Sequence, residues 1–295
     1  MDLAFECALF IVGLAFGSFL NVCISRIPRD QSIVCPRSRC PACGAFVRWY
    51  DNIPLLSWVL LRRRCRDCGQ RISLRYPAVE LLTAVLFAAC YVSFGPALIT
   101  AKFCIFCFLL VGLIFMDAET GLLPREFTYP GILLGLTLSW IAPTDNTGTQ
   151  FLLRAHGEQL SGRSLALLDS VIGTLVGAGF FYLAWALYYL LRKRHGMGFG
   201  DIALMAMAGA FLGLKLTLVV IFSAPLTGAV YGAFLLVRGP RGAAGAGATP
   251  NGRAPSSVRE RFLTREIPFG VFLGVCSLAA VFLGEPIWRW YLSFF

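Results

Sequence analysis

Long apolar windows constrain this chain most, because a helix needs about 20 such residues to cross a bilayer. At least six windows reach that length with few interruptions, and the periodicity and breaks resolve eight spans, near 3–25, 78–94, 97–116, 127–142, 167–191, 202–214, 216–237 and 269–292. Composition agrees. Of the 295 residues 57% are hydrophobic and 14% charged, with mean hydropathy +0.71, which excludes a water-soluble fold. The 25 Phe, 6 Trp and 9 Tyr demand burial in protein or lipid, which excludes a disordered chain. The expected fold is an all-α polytopic membrane protein.

Charge then sets the orientation. Eleven arginines fall in 26–77, and with Arg125, the Arg192-Lys193-Arg194 turn and the arginines of 238–265 they put 21 cations on one side and 5 on the other. Cations gather on the cytoplasmic side, so both termini are expected outside and the large loop in the cytoplasm. Asp2 and Glu6 stand where a cleaved signal peptide carries basic residues, so the first segment reads as a retained helix. Three parts follow: a first transmembrane helix over 1–25, a cytoplasmic loop domain over 26–77 and a membrane core over 78–295. The core is interrupted by a Gly, Ala and Pro-rich linker at 238–257.

Eleven cysteines divide by context. Cys7, Cys23, Cys90, Cys104, Cys107 and Cys276 lie in apolar spans as small buried hydrophobes, and the C-x-x-C of Cys104 and Cys107 reads as packing. Cys40, Cys43, Cys65 and Cys68 form two knuckles in the loop, the second followed by Gly69. Paired C-x-x-C turns at this separation are the pattern of a structural Zn2+ site, each presenting two sulfurs to one tetrahedral ion. A disulfide is the alternative, which a reducing cytosol disfavours. A loop of about 50 residues with few aliphatics would draw folding energy from the metal. Cys35 is a fifth, unpaired thiol.

Two aspartates sit at membrane depth, where an ionised carboxylate marks a functional candidate. Asp117 ends the third span and Asp201 opens the sixth, so the topology brings both to the cytoplasmic ends of their helices. Two carboxylates close together share a proton, and one can act as base toward water while the other acts as acid toward a peptide carbonyl. Gly198 and Gly200 let a substrate backbone approach. For Asp201 an N-cap is the plain alternative. Asp117, at a helix C-terminus, has no such explanation.

At this point the chain resembles the type IV prepilin leader peptidases, the bifunctional family that also serves type II secretion. The resemblance is carried by Gly17-Ser18-Phe19-Leu20-Asn21-Val22, both knuckles around Asp51-Asn52-Ile53-Pro54, Arg75-Tyr76-Pro77 through Thr83, Leu122-Leu123-Pro124, Gly196-Met197-Gly198-Phe199-Gly200-Asp201 and Ile267-Pro268-Phe269-Gly270. These motifs occur in order over nearly the whole chain. The resemblance implies an inner-membrane aspartic peptidase that removes the short basic leader of prepilins or pseudopilins, then N-methylates the new terminus from S-adenosylmethionine. It places Asp117 and Asp201 on the catalytic pair and Cys40, Cys43, Cys65 and Cys68 on the zinc ligands.

Two positions depart from that pattern: Ala203 stands where a Lys is usual, and Arg125 where an Asp follows Leu-Pro. No strand and Gly-rich turn offers a usual adenosyl pocket, so the cofactor is expected between the loop and the membrane core. Asn21, Asp51, Asn52 and Glu80 are candidates there or in structural hydrogen bonds. His156 and His195 are not placed to catalyse. Two other classes compete. A cation or proton relay predicts carboxylates near the midplane, and a basic zinc module for nucleic acid lacks the aromatics such sites stack with.

Overall fold

The computed structural model describes residues 3–144, 162–193, 198–238 and 268–293. The linker past 238, His156, His195, Gly196, Met197 and Ile267 lie outside them. Among the described residues eight α-helices follow in order: α1 Leu3–Arg26, the short α2 Leu56–Leu60, α3 Arg75–Phe94, α4 Leu98–Thr120, α5 Arg125–Ile141, α6 Gly162–Arg192, α7 Phe199–Arg238 and α8 Phe269–Leu292. The described residues contain no strand, only two isolated bridges in the cysteine loop.

Six helices among the described residues are long and apolar enough to cross a membrane: Leu3–Arg29, Arg75–Phe94, Leu98–Thr120, Gly162–Arg192, Phe199–Phe234 and Phe269–Trp290. The expected eight differ from six for two reasons. The 17 residues of α5 stand at the short limit for a crossing and are not among the six, and the spans expected at 202–214 and 216–237 run together as α7.

That helix is nevertheless two arms. Gly213 has φ 73° and ψ 178°, a conformation open to glycine and not to other residues. A Cβ added to Gly177 of α6 would lie 2.7 Å from the Met205 carbonyl and 3.2 Å from Thr217 Cγ2. In a straight helix those two positions stand about 18 Å apart. The chain therefore doubles back at Gly213, one residue before the break expected at Leu214-Lys215, and both arms, 199–212 and 214–238, lie along α6.

Glycines bring the other helices together. Cβ atoms on Gly13 and Gly17 would sit 2.6 and 2.7 Å from the Cα atoms of Ala84 and Glu80, so α1 and α3 cross backbone to backbone. This is how small residues four apart pack apolar helices where lipid supplies no hydrophobic drive. α4 runs through the centre, with Phe106, Leu110, Leu113 and Met116 fully buried. Phe106 stacks on Phe211 of the first α7 arm at 4.6 Å, and α5 is tied to that arm by Ser139 Oγ donating to the Ala210 carbonyl at 3.0 Å.

The contacts sort the bundle into two ends. At one, Lys102, Asp169 and Gly213 meet. The Lys102 ammonium is completely buried without a hydrogen-bond partner, and it interacts electrostatically with Asp169 of α6, whose carboxylate packs against Gly213. Nearby, Lys215 pairs with Glu285 at 2.6 Å. The cysteine loop and both candidate aspartates occupy the other end.

Candidate active site

The loop between α1 and α3 is built on two copies of one turn. In the first, the Cys40 N–H donates to Ala45 and the Gly44 N–H to Cys40, both at 2.9 Å; in the second, Cys65 donates to Gln70 at 2.8 Å and Gly69 to Cys65 at 3.0 Å. Gly44 and Gly69 take φ of 72° and 70°. The sequence reading noted Gly69 alone; the glycine after Cys43 was the available signal for an exact repeat of the turn. The four sulfurs lie within 4.8 Å of one another, and Cys40 and Cys68 are 3.9 Å apart. Bonds of 2.3 Å to a tetrahedral zinc ion put sulfurs about 3.8 Å apart, so this donor set fits Zn2+. The Cys43 backbone N–H leads in lowering the Cys40 thiol to about 7. At Cys68 the Gln70 N–H acts the same way, yet desolvation and the neighbouring thiols push it up to about 12. Four thiols this close cannot all ionise without a cation among them.

The rest of the loop is pinned to this centre. Arg66, between Cys65 and Cys68, grips Asp51 with two hydrogen bonds of 2.9 and 2.6 Å, and its hydrogen bonding holds the Asp51 carboxyl below its usual range. Glu80 reaches from α3 to accept the Leu55 N–H at 2.8 Å, and Leu55 has a φ of 57°. Asn21 of α1 donates to the Tyr76 carbonyl at 3.0 Å. Asn21, Asp51 and Glu80 thus take the structural role that the sequence left open. Together with Asn52 they also line a cavity of about 460 Å³ between the loop, α1 and α3.

The aspartates converge. Asp117 lies in the last turn of α4, which runs to Thr120 and not only to 116, and Asp201 in the first turn of α7. Both are buried, and their carboxylates interact electrostatically. Leu123 marks the meeting place: a Cβ on Gly200 would lie 2.7 Å from its Cβ, and one on Gly270 would lie 3.0 Å from its Cδ1 and 2.8 Å from Asp117 Oδ2. Gly198 sits beside Asp201, and its backbone N–H hydrogen-bonds the Asp201 carboxylate; Asp201 thus lies inside the first turn and bonds back to the residue before the helix, rather than serving as the N-cap expected from sequence.

Asp117 has an anchor that sequence did not reveal. The Val271 N–H donates to its Oδ2 at 2.9 Å, and the Gly270 N–H adds a second bond. The anion disfavoured by its own helix is held by the N-terminus of α8, where free N–H groups and the macrodipole favour negative charge. Pro268-Phe269-Gly270 was the only signal, and nothing in it names a partner. Both carboxylates therefore lie at helix N-termini at one end of the bundle, away from the midplane that a cation relay requires.

Arg75 joins this site to the cavity. It lines the cavity, and its Nη1 donates to Glu119, two residues past Asp117, at 2.7 Å.

Comparison with known proteins is consistent across the chain. The Bacterial Peptidase A24 N-terminal domain matches residues 11–94, and the Type IV leader peptidase family matches 104–233. A Prepilin leader peptidase/N-methyltransferase of Myxococcus xanthus is 43% identical over 80% of this chain and 66% of its own length. Proteins of the same name are 32% identical in Aeromonas salmonicida, over 96% of this chain and 92% of theirs, and 35% identical in Neisseria gonorrhoeae, over 75% and 78%. No solved structure matches. With its glycine-flanked aspartates, cysteine knuckles and nearly end-to-end likeness to these proteins, the chain belongs to the type IV leader peptidase family.

Proposed function

We propose that this chain is an inner-membrane aspartic endopeptidase that cuts the basic leader from type IV prepilins or pseudopilins and methylates the amine so exposed. The observation that carries the peptidase is the convergence of Asp117 and Asp201 beside Leu123 at one end of the bundle, with Gly198, Gly200 and Gly270 around them. Gly200 and Gly270 let Leu123 and Asp117 close in on the two helix starts, and Gly198 leaves exposed backbone beside Asp201 that an extended substrate can approach.

The chemistry follows from the pair. Two buried carboxylates that feel each other's charge hold one proton between them. The ionised one takes a proton from water as its oxygen attacks the scissile carbonyl, and the protonated one gives its proton to the carbonyl oxygen. Collapse of the tetrahedral intermediate returns a proton to the departing amine. The N-termini of α7 and α8 steady the negative charge through this cycle.

The side of the membrane follows from charge. Cations cluster at the end that holds the loop and both aspartates, so that end faces the cytoplasm with both chain termini outside. Eight crossings result when the two arms of α7 and the short α5 are counted. Residues 1–25 form the first helix, 26–77 the loop domain and 78–295 the peptidase core. Cys40, Cys43, Cys65 and Cys68 hold a structural Zn2+, which fixes the loop's two turns to each other. S-adenosylmethionine supplies the methyl group.

The direct test incubates purified protein with a prepilin and labelled S-adenosylmethionine, reading leader removal and methyl transfer separately. Leader removal that survives in Asp117→Asn or Asp201→Asn would remove that residue from the pair.

A further inference from the structure

The short helix α2 has two faces of opposite character. Ser57, Trp58 and Leu61 line the cavity beneath the loop domain. Leu56, Val59 and Leu60, at i, i+3 and i+4, share the other face and are 50%, 63% and 71% exposed. Large aliphatics gathered on one outward face mark a surface that something else covers. The depth of the helix says what. Leu55, the residue before α2, donates its N–H to Glu80 Oε2 at 2.8 Å. Glu80 stands five residues, about 7.5 Å, inside the start of α3, and its backbone packs on Gly17 of α1. Both of those helices are long and apolar enough to cross a membrane. The start of α2 is therefore held level with the first turns of α3, where that helix enters the bilayer. Ser57, buried on the inner face, fixes the orientation: it accepts the Ile53 N–H and donates to the Tyr50 carbonyl, each at 3.0 Å.

Charge narrows what that surface is. Arg62, Arg63 and Arg64 follow the helix, and all three are exposed. Arg62 and Arg63 hold φ of 48° and 61°, a left-handed conformation that residues other than glycine rarely adopt. Backbone bonds keep them there: the Arg63 N–H donates to the Trp58 carbonyl at 2.9 Å, and the Ile72 N–H to the Arg63 carbonyl at 2.7 Å. None of the three guanidinium groups has a carboxylate partner among the described residues, and Arg63 lies 5.6 Å from the Trp58 ring. An apolar face closed by free cations is the pattern of an element lying in a bilayer surface, its aliphatics among the acyl chains and its guanidinium groups at the level of the phosphates. A basic leader peptide is repelled by the same charges.

We infer that α2 is an interfacial anchor: Leu56, Val59 and Leu60 sit in the leaflet that α1 and α3 cross, and Arg62, Arg63 and Arg64 bind the phosphates of anionic phospholipids. The partner is a lipid surface and not a second protein. The anchor seats the loop domain against the membrane at the end of the bundle that holds Asp117 and Asp201. It requires only that the long helices cross a bilayer, and it does not depend on the peptidase reading.

The test uses the full-length protein in vesicles of phosphatidylethanolamine and phosphatidylglycerol. A photoreactive benzophenone amino acid in place of Leu60 reports, by mass spectrometry after ultraviolet irradiation, what that side chain touches. Lipid adducts are expected; adducts to a second copy of the chain, or no adducts, would overturn the anchor. For the charges, each lipid is titrated into detergent-purified protein and the bound lipid is counted by native mass spectrometry. Affinity for phosphatidylglycerol should fall about fivefold for each of Arg62→Gln, Arg63→Gln and Arg64→Gln, the attraction of one near-surface cation to an anionic leaflet. Phosphatidylethanolamine binding and thermal unfolding should stay at wild-type values. An unchanged preference for phosphatidylglycerol in the triple variant, or equal weakening of both lipids, would overturn the proposal. Leader removal is read in the same vesicles. Lipid adducts without cleavage would uphold the anchor and sink the peptidase reading, whereas cleavage without lipid adducts would sink the anchor alone.

Discussion

The Val271 N–H donates to Asp117 Oδ2 at 2.9 Å across 154 positions of sequence. This bond makes Gly270 a positioning residue, because a methyl group there would lie 2.8 Å from the same oxygen. Gly270→Ala should lower leader-cleavage kcat by about 10- to 100-fold, the scale on which a displacement of about 1 Å acts. Metal content and expression should be those of wild type. Unchanged kcat in a prepilin cleavage assay would mean that α8 does not hold Asp117 in place.

Removing either carboxylate should do more. Asp117→Asn and Asp201→Asn are each expected to reduce cleavage by at least about 10²- to 10⁴-fold, the share that positioned acid–base groups supply. Because the two share one proton, the double variant should be no slower than the worse single. Additive losses would show that they act separately.

The cysteine centre gives a metal prediction. Cys43→Ser should lower zinc content and protein level together, since the loop's fold depends on the ion. In wild type, chelation should open 36–73 to limited proteolysis while the helical core stays intact by circular dichroism. Full metal stoichiometry in Cys43→Ser would refute four-sulfur ligation.

At the opposite end, Lys102 and Asp169 form a buried pair of charges. Asp169→Asn should destabilise by about 3–5 kcal/mol, because the buried ammonium loses its counter-charge. Lys102→Met combined with Asp169→Asn should recover most of that loss in thermal unfolding. A double variant as unstable as the sum of the singles would show that the two do not interact.

Local signals carried most of the fold. Apolar windows located the long helices among the described residues, C-x-x-C spacing located the paired cysteine turns, and topology alone brought Asp117 and Asp201 to one end. Errors came where a second segment decides the outcome. The reversal at Gly213 fell one residue from its expected place, and hydropathy could not show that both arms lie along α6. Asp117 lacked an explanation because its partner is the backbone of a helix 154 residues away, and backbone N–H groups leave no mark in a sequence. Asn21 and Glu80 were read as candidates for the cofactor or for structural hydrogen bonds, and only the folded loop shows that they bond the Tyr76 carbonyl and the Leu55 N–H.

The turn at Gly213 has a consequence for how this architecture can vary. Asp201 stands 12 residues from it, about 18 Å of helix, and the turn itself abuts Asp169 on the far side. The depth of the Asp201 carboxylate is thus a measured length, fixed like a plumb line hung from the turn. Inserting one residue between 201 and 213 would swing the carboxylate by about 100° and drop it by about 1.5 Å, so the position of Asp201 is calibrated from the opposite end of the bundle.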